Sequence, residues 1–118
     1  MLLIRNKNRG ILLAYKAEAA NTSAMRRRGL LKHESLQPGD GLWIVPCEAV
    51  HTFGMKFSID IVYLSRSKRV LKIRHCVPRR RISVCLRAHS VLELPAGMAA
   101  STGTVPGDLL VFEKIDPV

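Results

Sequence analysis

Apolar and polar residues alternate with a period of two along much of this chain, the spacing of strands that turn one face to a core. Leu2-Leu3-Ile4 and the run from Gly10 to Tyr15 flank the polar stretch RNKNR at 5–9, a hairpin pattern. Leu42-Trp43-Ile44-Val45 follows the turn-forming PGDG at 38–41 and ends at Pro46. Further strands are predicted from Met55 to Leu64, Leu71 to Val77, Ile82 to Leu86, Val91 to Leu94 and Leu109 to Phe112. One helix signal stands out. Asn21 or Thr22 can cap it, Met25 and Gly29 fall one turn apart with Leu30 beside them, and Arg26, Arg27 and Arg28 face outward. The pattern predicts a mostly β chain: a compact β-sandwich or barrel-like single domain over 1–118 with one short helix.

The strand HTFGMKFSIDIVYL at 51–64 carries an acid between two isoleucines. Met55, Phe57, Ile59, Ile61 and Tyr63 share one face, and Lys56, Ser58 and Asp60 share the other, which turns apolar at Val62 and Leu64. An ionised carboxylate buried without a partner costs several kcal/mol, so Asp60 must be paired, bonded to backbone N–H groups or open to water. In the structural reading Lys56, Ser58 or a neighbouring arginine satisfies it and sets the register of the strand. In the functional reading it orients a ligand in a pocket. Leu92 and Leu94 read as core, which leaves Glu93 on the opposite face, where an arginine could meet it.

Charge adds a second theme. The 118 residues carry 19 Lys and Arg against 9 Asp and Glu, a net charge of +10, and two arginine triplets stand out at 26–28 and 79–81. Such a balance favours encounters with phosphates or acidic surfaces. Aromatics make up only 5%, which leaves few stacking platforms for bases, and no nucleic-acid motif is present. The three cysteines, Cys47, Cys76 and Cys85, form no C-x-x-C pair. Cys47-x-x-x-His51 is the one spacing that suits a metal or a thiol–histidine pair, and nothing around it resembles a nucleophile signature. Adjacent residues on a strand point to opposite faces, so His75 and Cys76 do not suit one ion. Free thiols, no signal-peptide pattern and no membrane-length apolar run point to a cytoplasmic protein.

Several segments resemble a known family. VLELPAGMAASTGTVPGDLLVF at 91–112 resembles a V-L-E-L-x-A-G segment followed by Gly-Asp before a last strand. RRRGLLKHESL at 26–36 resembles R-x-x-G-L-M-x-R, and GDGLWI at 39–44 resembles a G-M-L-F strand. FGMK and IDIVYL resemble the two ends of an F-W-M-K-N-T-x-x-x-L-D-I-x-F core. Together, over residues 23–112, the chain resembles the uncharacterised prokaryotic family called domain of unknown function 192. It departs at Gly54, where the pattern has Trp, and in a shortened Met-to-Asp interval that lacks the K-N-T triplet. The resemblance implies a compact β-sandwich-like domain and supplies no activity, cofactor or catalytic residue.

These observations favour a non-enzymatic module that binds a small polar ligand or a protein partner, with no cofactor and no metal. Its candidate site is His51, Thr52, Lys56 and Asp60, with Arg79, Arg80 and Arg81 as a basic rim. The alternatives are an RNA- or phosphate-binding basic protein and a Cys-His enzyme or zinc protein. If both triplets engage a polyanion, about six phosphates are neutralised and log K falls against log salt with a slope near about −5. Salt-dependent retention on a polyanion column, lost when both triplets are neutralised, is the expected result for that alternative.

Overall fold

A computed structural model describes residues 1–115. Nine strands and two short helices follow in order: β1 (Leu2–Asn6), β2 (Ile11–Ala20), α1 (Ser23–Arg28), β3 (Gly39–Ile44), β4 (Ala49–His51), β5 (Ile59–Leu64), β6 (Val70–Val77), β7 (Ile82–Val84), β8 (Ser90–Pro95), α2 (Met98–Ser101) and β9 (Leu110–Lys114). Seven strands make one sheet in the order β6-β5-β8-β3-β2-β1-β9, and β4 pairs with β7 as a separate ribbon. Only β2 and β3 run parallel, which the α1 crossover between them permits; the other pairs are antiparallel. The expected mostly β architecture is present as a sheet curled into a half-barrel. Its two ends approach each other: Arg69, before β6, bridges Leu109, before β9, and the Leu110 N–H donates to the Lys68 carbonyl at 3.0 Å.

Both faces of the sheet are covered. Inside the curl, Ile4, Leu13, Ala17, Val62, Leu64, Val70, Leu92, Leu94 and Leu110 form one buried cluster. Outside, the central strands present Leu42, Ile44, Ile59, Ile61, Tyr63 and Val91 to Leu30, Met55 and Cys85, which come from the segments around α1 and the ribbon. The ribbon is fastened to the sheet by the Tyr63 hydroxyl, which bonds the Ser83 hydroxyl at 2.7 Å within the buried layer. Among the described residues, no helix is long and apolar enough to cross a membrane.

Two details differ from the pattern of the sequence. A second helix, α2, occupies Met98–Ser101. The strand expected from Met55 begins at Ile59, and all six residues of β5 are buried. Asp60 therefore shares no exposed face with Lys56 and Ser58. Its alternation partners are Val62 and Leu64, inside the curl.

Asp60 has 0% exposure, and backbone groups alone satisfy it. Its Oδ1 accepts from the N–H of Cys76 at 2.8 Å and of Gly97 at 3.1 Å, and its Oδ2 accepts from the N–H of Ala99 at 2.8 Å. Cys76 lies where β6 slips register against β5, with φ of 48°, so the carboxylate holds a β-bulge. Gly97 and Ala99 open α2, so the same carboxylate fixes the start of the segment that leads to β9.

At the other end of that segment, the buried Asp108 carboxylate accepts from Asn6 Nδ2 at 3.0 Å and from Arg9 Nε at 3.1 Å. Burial alone would raise the Asp108 carboxyl, but these bonds and one from the Val105 N–H outweigh it and hold the group below its ordinary value.

Replacing Asp60 with Ala leaves three N–H groups, that of Ala99 buried, without their acceptor. A loss of about 3–5 kcal/mol is expected. Urea unfolding followed by the fluorescence of Trp43, the sole tryptophan, measures it. A loss under about 1 kcal/mol, typical of a surface change, would show that the bulge and α2 hold without the acid.

Candidate functional site

A cavity of about 480 Å³ lies between the outer face of the half-barrel and the layer made by α1 and the ribbon. It exists because α1 has only six residues and stops at Gly29, whose φ of 48° turns the chain back toward the sheet at Leu30. Thr22 caps the helix by accepting from the Met25 N–H at 3.1 Å, and all three arginines fall in its last turn, where cations favour the helix dipole. Arg26, Arg27 and Arg28 line the cavity. So do Leu30, Ile44 and Met55 on the apolar walls, with Cys47 and His51 from the ribbon side.

Glu93 also lines this cavity, from the middle of β8. Its register places it beside Leu42 of β3 and Ile61 of β5, both core residues of the outer face. The residue is 3% exposed. Among the described residues its carboxyl has no hydrogen bond and no ion pair. Arg26 instead bonds the Asn21 carbonyl at 3.2 Å and the Ser23 hydroxyl at 3.4 Å. The three salt bridges among the described residues join Arg9 to Asp108, Lys16 to Asp40 and Lys56 to Glu34. Burial pushes the Glu93 carboxyl up from 4.5 to about 7.

The residues expected to form the site divide by place. His51 lines the cavity and is exposed, with its ring 6.0 Å from that of Phe53. Thr52 is buried, donates through Oγ1 to the Pro78 carbonyl at 2.7 Å and accepts from the Arg81 N–H at 2.9 Å. It thereby ties the Arg79–Arg81 turn to the end of the ribbon, and the three arginines of that turn are exposed. Lys56 is exposed and pairs with Glu34. Asp60 faces the inside of the curl, on the other side of the sheet. The structure thus brings His51 to the first arginine triplet and to Glu93, while Thr52 and Asp60 are consumed by backbone bonds.

Cys47 and His51 both border the cavity, but the Cys47 thiol donates to the Ala49 carbonyl at 3.2 Å. Burial pushes that thiol up, away from the reactive thiolate. No group of three or more His, Cys, Asp or Glu side chains converges as a metal site among the described residues. Cys47 also borders a second cavity of about 500 Å³, whose polar lining of Glu48, Arg66, Arg87 and His89 belongs to exposed or half-exposed residues. It contains no buried acid.

The model of a family described as "Uncharacterized ACR", domain of unknown function 192, matches residues 4–112. This chain belongs to that family. A UPF0127 protein of Thermococcus kodakarensis is 26% identical over 127 residues, a match that covers 98% of this chain and 80% of the archaeal one. Two solved structures share the fold. One is a protein of unknown function from Novosphingobium aromaticivorans, with a TM-score of 0.81 and 22% identity over 93% of this chain and 82% of that one. The other, from Sinorhizobium meliloti, bears a provisional name as a transcription regulator; it has a TM-score of 0.82 and 19% identity over 94% of this chain and 91% of that one.

Within this family member, the Glu93 shift has a defined effect on stability. Its folded pKa of about 7 lies above the ordinary 4.5, so the folded state holds the proton more tightly. The resulting stability is complete below about pH 4.5 and is lost as pH rises to about 7, a change of roughly 3 kcal/mol. Glu93→Gln cannot titrate. Its stability relative to the parent therefore improves by roughly 3 kcal/mol across that window and stays level above it. Denaturation midpoints of the two proteins, taken every half unit of pH, test this; a gap independent of pH would assign Glu93 an ordinary titration.

Proposed function

We propose that this chain is a binding module for a small polar ligand, which it holds in the cavity between α1 and the sheet. The observation that carries the reading is Glu93, a buried carboxyl without a partner among the described residues that faces a cavity lined by three arginines. A buried acid left unpaired weakens a fold, and such groups concentrate where they meet a ligand. The volume suits a ligand of drug size or smaller, and apolar walls with a few convergent polar groups are the usual form of such sites. In this reading His51 borders the mouth and Arg79, Arg80 and Arg81 extend its basic rim. Thr52 and Asp60 keep the frame in place, and Lys56 steadies the loop around Glu34.

One observation favours a second reading, a basic surface for RNA or other phosphate polymers. Both arginine triplets flank the segment from Val50 to Met55, the first across the cavity and the second through the Thr52–Arg81 bonds. The provisional name of the Sinorhizobium protein is compatible with it.

Native mass spectrometry of the protein purified gently from its own host separates the two. A bound small molecule of a few hundred daltons, absent from Glu93→Leu, is the expected result. Copurifying nucleic acid that disappears when the triplets are neutralised, with an empty cavity, would overturn the ligand reading in favour of the second.

A further inference from the structure

The cavity is electrically polarised. Arg26, Arg27 and Arg28 of α1 line it, and none of them has a carboxylate partner among the described residues. On the sheet side stands Glu93, 3% exposed and without a partner among the described residues. Between them are apolar side chains, chiefly Leu30, Ile44 and Met55. An acid and three cations that line one cavity would be expected to pair if their role were to hold the fold together, because each leaves the other's charge uncompensated. They make no bond to each other, although all of them line the same cavity.

Taking the ligand-binding reading as its basis, we infer that the cavity accepts a small zwitterion, with its ammonium group on Glu93 and its acidic group against Arg26–Arg28. A carboxylate acceptor on the sheet side offers a buried cation a charge-assisted bond, and the guanidinium groups of α1 offer the same to an acid. A ligand with only an acidic group leaves Glu93 unpaired. A simple amine must pass three cations and leaves them unanswered. A dipolar ligand with an apolar spacer satisfies both ends and the walls at once.

The raised titration of Glu93 agrees with this arrangement, since a bound ammonium would repay the burial of its charge. The other titratable groups around the cavity do not replace such a partner. Cys47 stays a thiol, His51 lies at the exposed mouth, and the arginines of α1 make no bond to Glu93.

The test uses ω-amino acids with chains of about four to eight carbons, beside the matching alkanoates and alkylamines. Each is titrated calorimetrically into the full chain at about pH 8, where Glu93 is ionised. At least one amino acid should bind about tenfold or more tightly than both singly charged analogues of its length. Glu93→Gln should erase its advantage over the alkanoate. Neutralising Arg26, Arg27 and Arg28 to Gln should erase its advantage over the alkylamine. NMR titration of Glu93 should show its pKa falling back toward the ordinary carboxylate range when the amino acid is bound.

An alkanoate or alkylamine that binds as tightly as the amino acid would overturn the zwitterion and leave the cavity as a binding site. An unliganded Glu93 that titrates at about 4.5 or below would show that its charge is already accommodated without a ligand, and would overturn the inference likewise. If no probe binds, the zwitterion is overturned. The binding reading itself falls only if the host-purified protein also carries no small molecule.

Discussion

Closing a seven-stranded sheet into a half-barrel requires the chain to travel from β8, near the middle of the sheet, to β9 at its far edge, and the Asp60 carboxylate makes that crossing possible. Three backbone N–H groups from two segments converge on it: one at the bulge of β6 and two at the start of α2. The bulge increases the local twist and bends β6, as curling needs. The turn at Gly97, with φ of 90°, aims the connection over the end of the barrel. Asp108 then anchors its far end through Asn6 and Arg9, just before β9 pairs with β1. One acid at each end of residues 97–108 fixes the closure, and backbone N–H groups become its hydrogen bonds.

Against that pattern, the third buried acid stands out. Asp60 and Asp108 are surrounded by donors, whereas Glu93 has apolar neighbours on both adjacent strands and a cavity in front. Sheet geometry accounts for its place. On β8 the residues Leu92 and Leu94 point inside the curl, so Val91 and Glu93 must point outward, into the layer under α1. A leucine there would join the outer cluster with Leu42 and Ile61 and would strengthen the fold. The acid weakens it progressively as pH rises above about 4.5. The three buried carboxyls thus differ: two are held by donors, and Glu93 has none among the described residues.

The strand pattern was legible because most strands alternate or run apolar between turn residues; GDGLWI, IDIVYL and VLEL all lie in strands of the central sheet. The curl was not, because it depends on a bulge at Cys76 and on bonds from Asp60 to residues 16 to 39 positions away. The beginning of β5 was misplaced for a related reason. The alternation from Met55 to Phe57 imitates a strand, but Gly54 takes φ of 82° and these residues lie in turns that pack Met55 onto the outer cluster. His51, singled out by its chemistry, lines the cavity. Glu93 was seen only as the polar side of a strand, and its signal was subtle: an acid in VLEL matters when both faces of the strand are covered, which no local window reveals.

Gly54 joins the family's departures to the cavity. The F-W-M-K pattern that FGMK resembles places Trp there, but a Cβ at position 54 would come within 3.2 Å of the Leu31 side chain, on a backbone conformation that side chains rarely adopt. Leu31 and Met55 both line the cavity, so the glycine lets its two walls approach without a bulky ring between them. The shortened interval from Met55 to Asp60 acts in the same place: it brings the chain directly from the cavity wall into β5. The frame held by Asp60 lies inside the curl and the cavity lies outside, separated by the thickness of the sheet. Variation in residues 53–58 can therefore reshape the cavity while the buried hydrogen bonds that close the barrel stay intact.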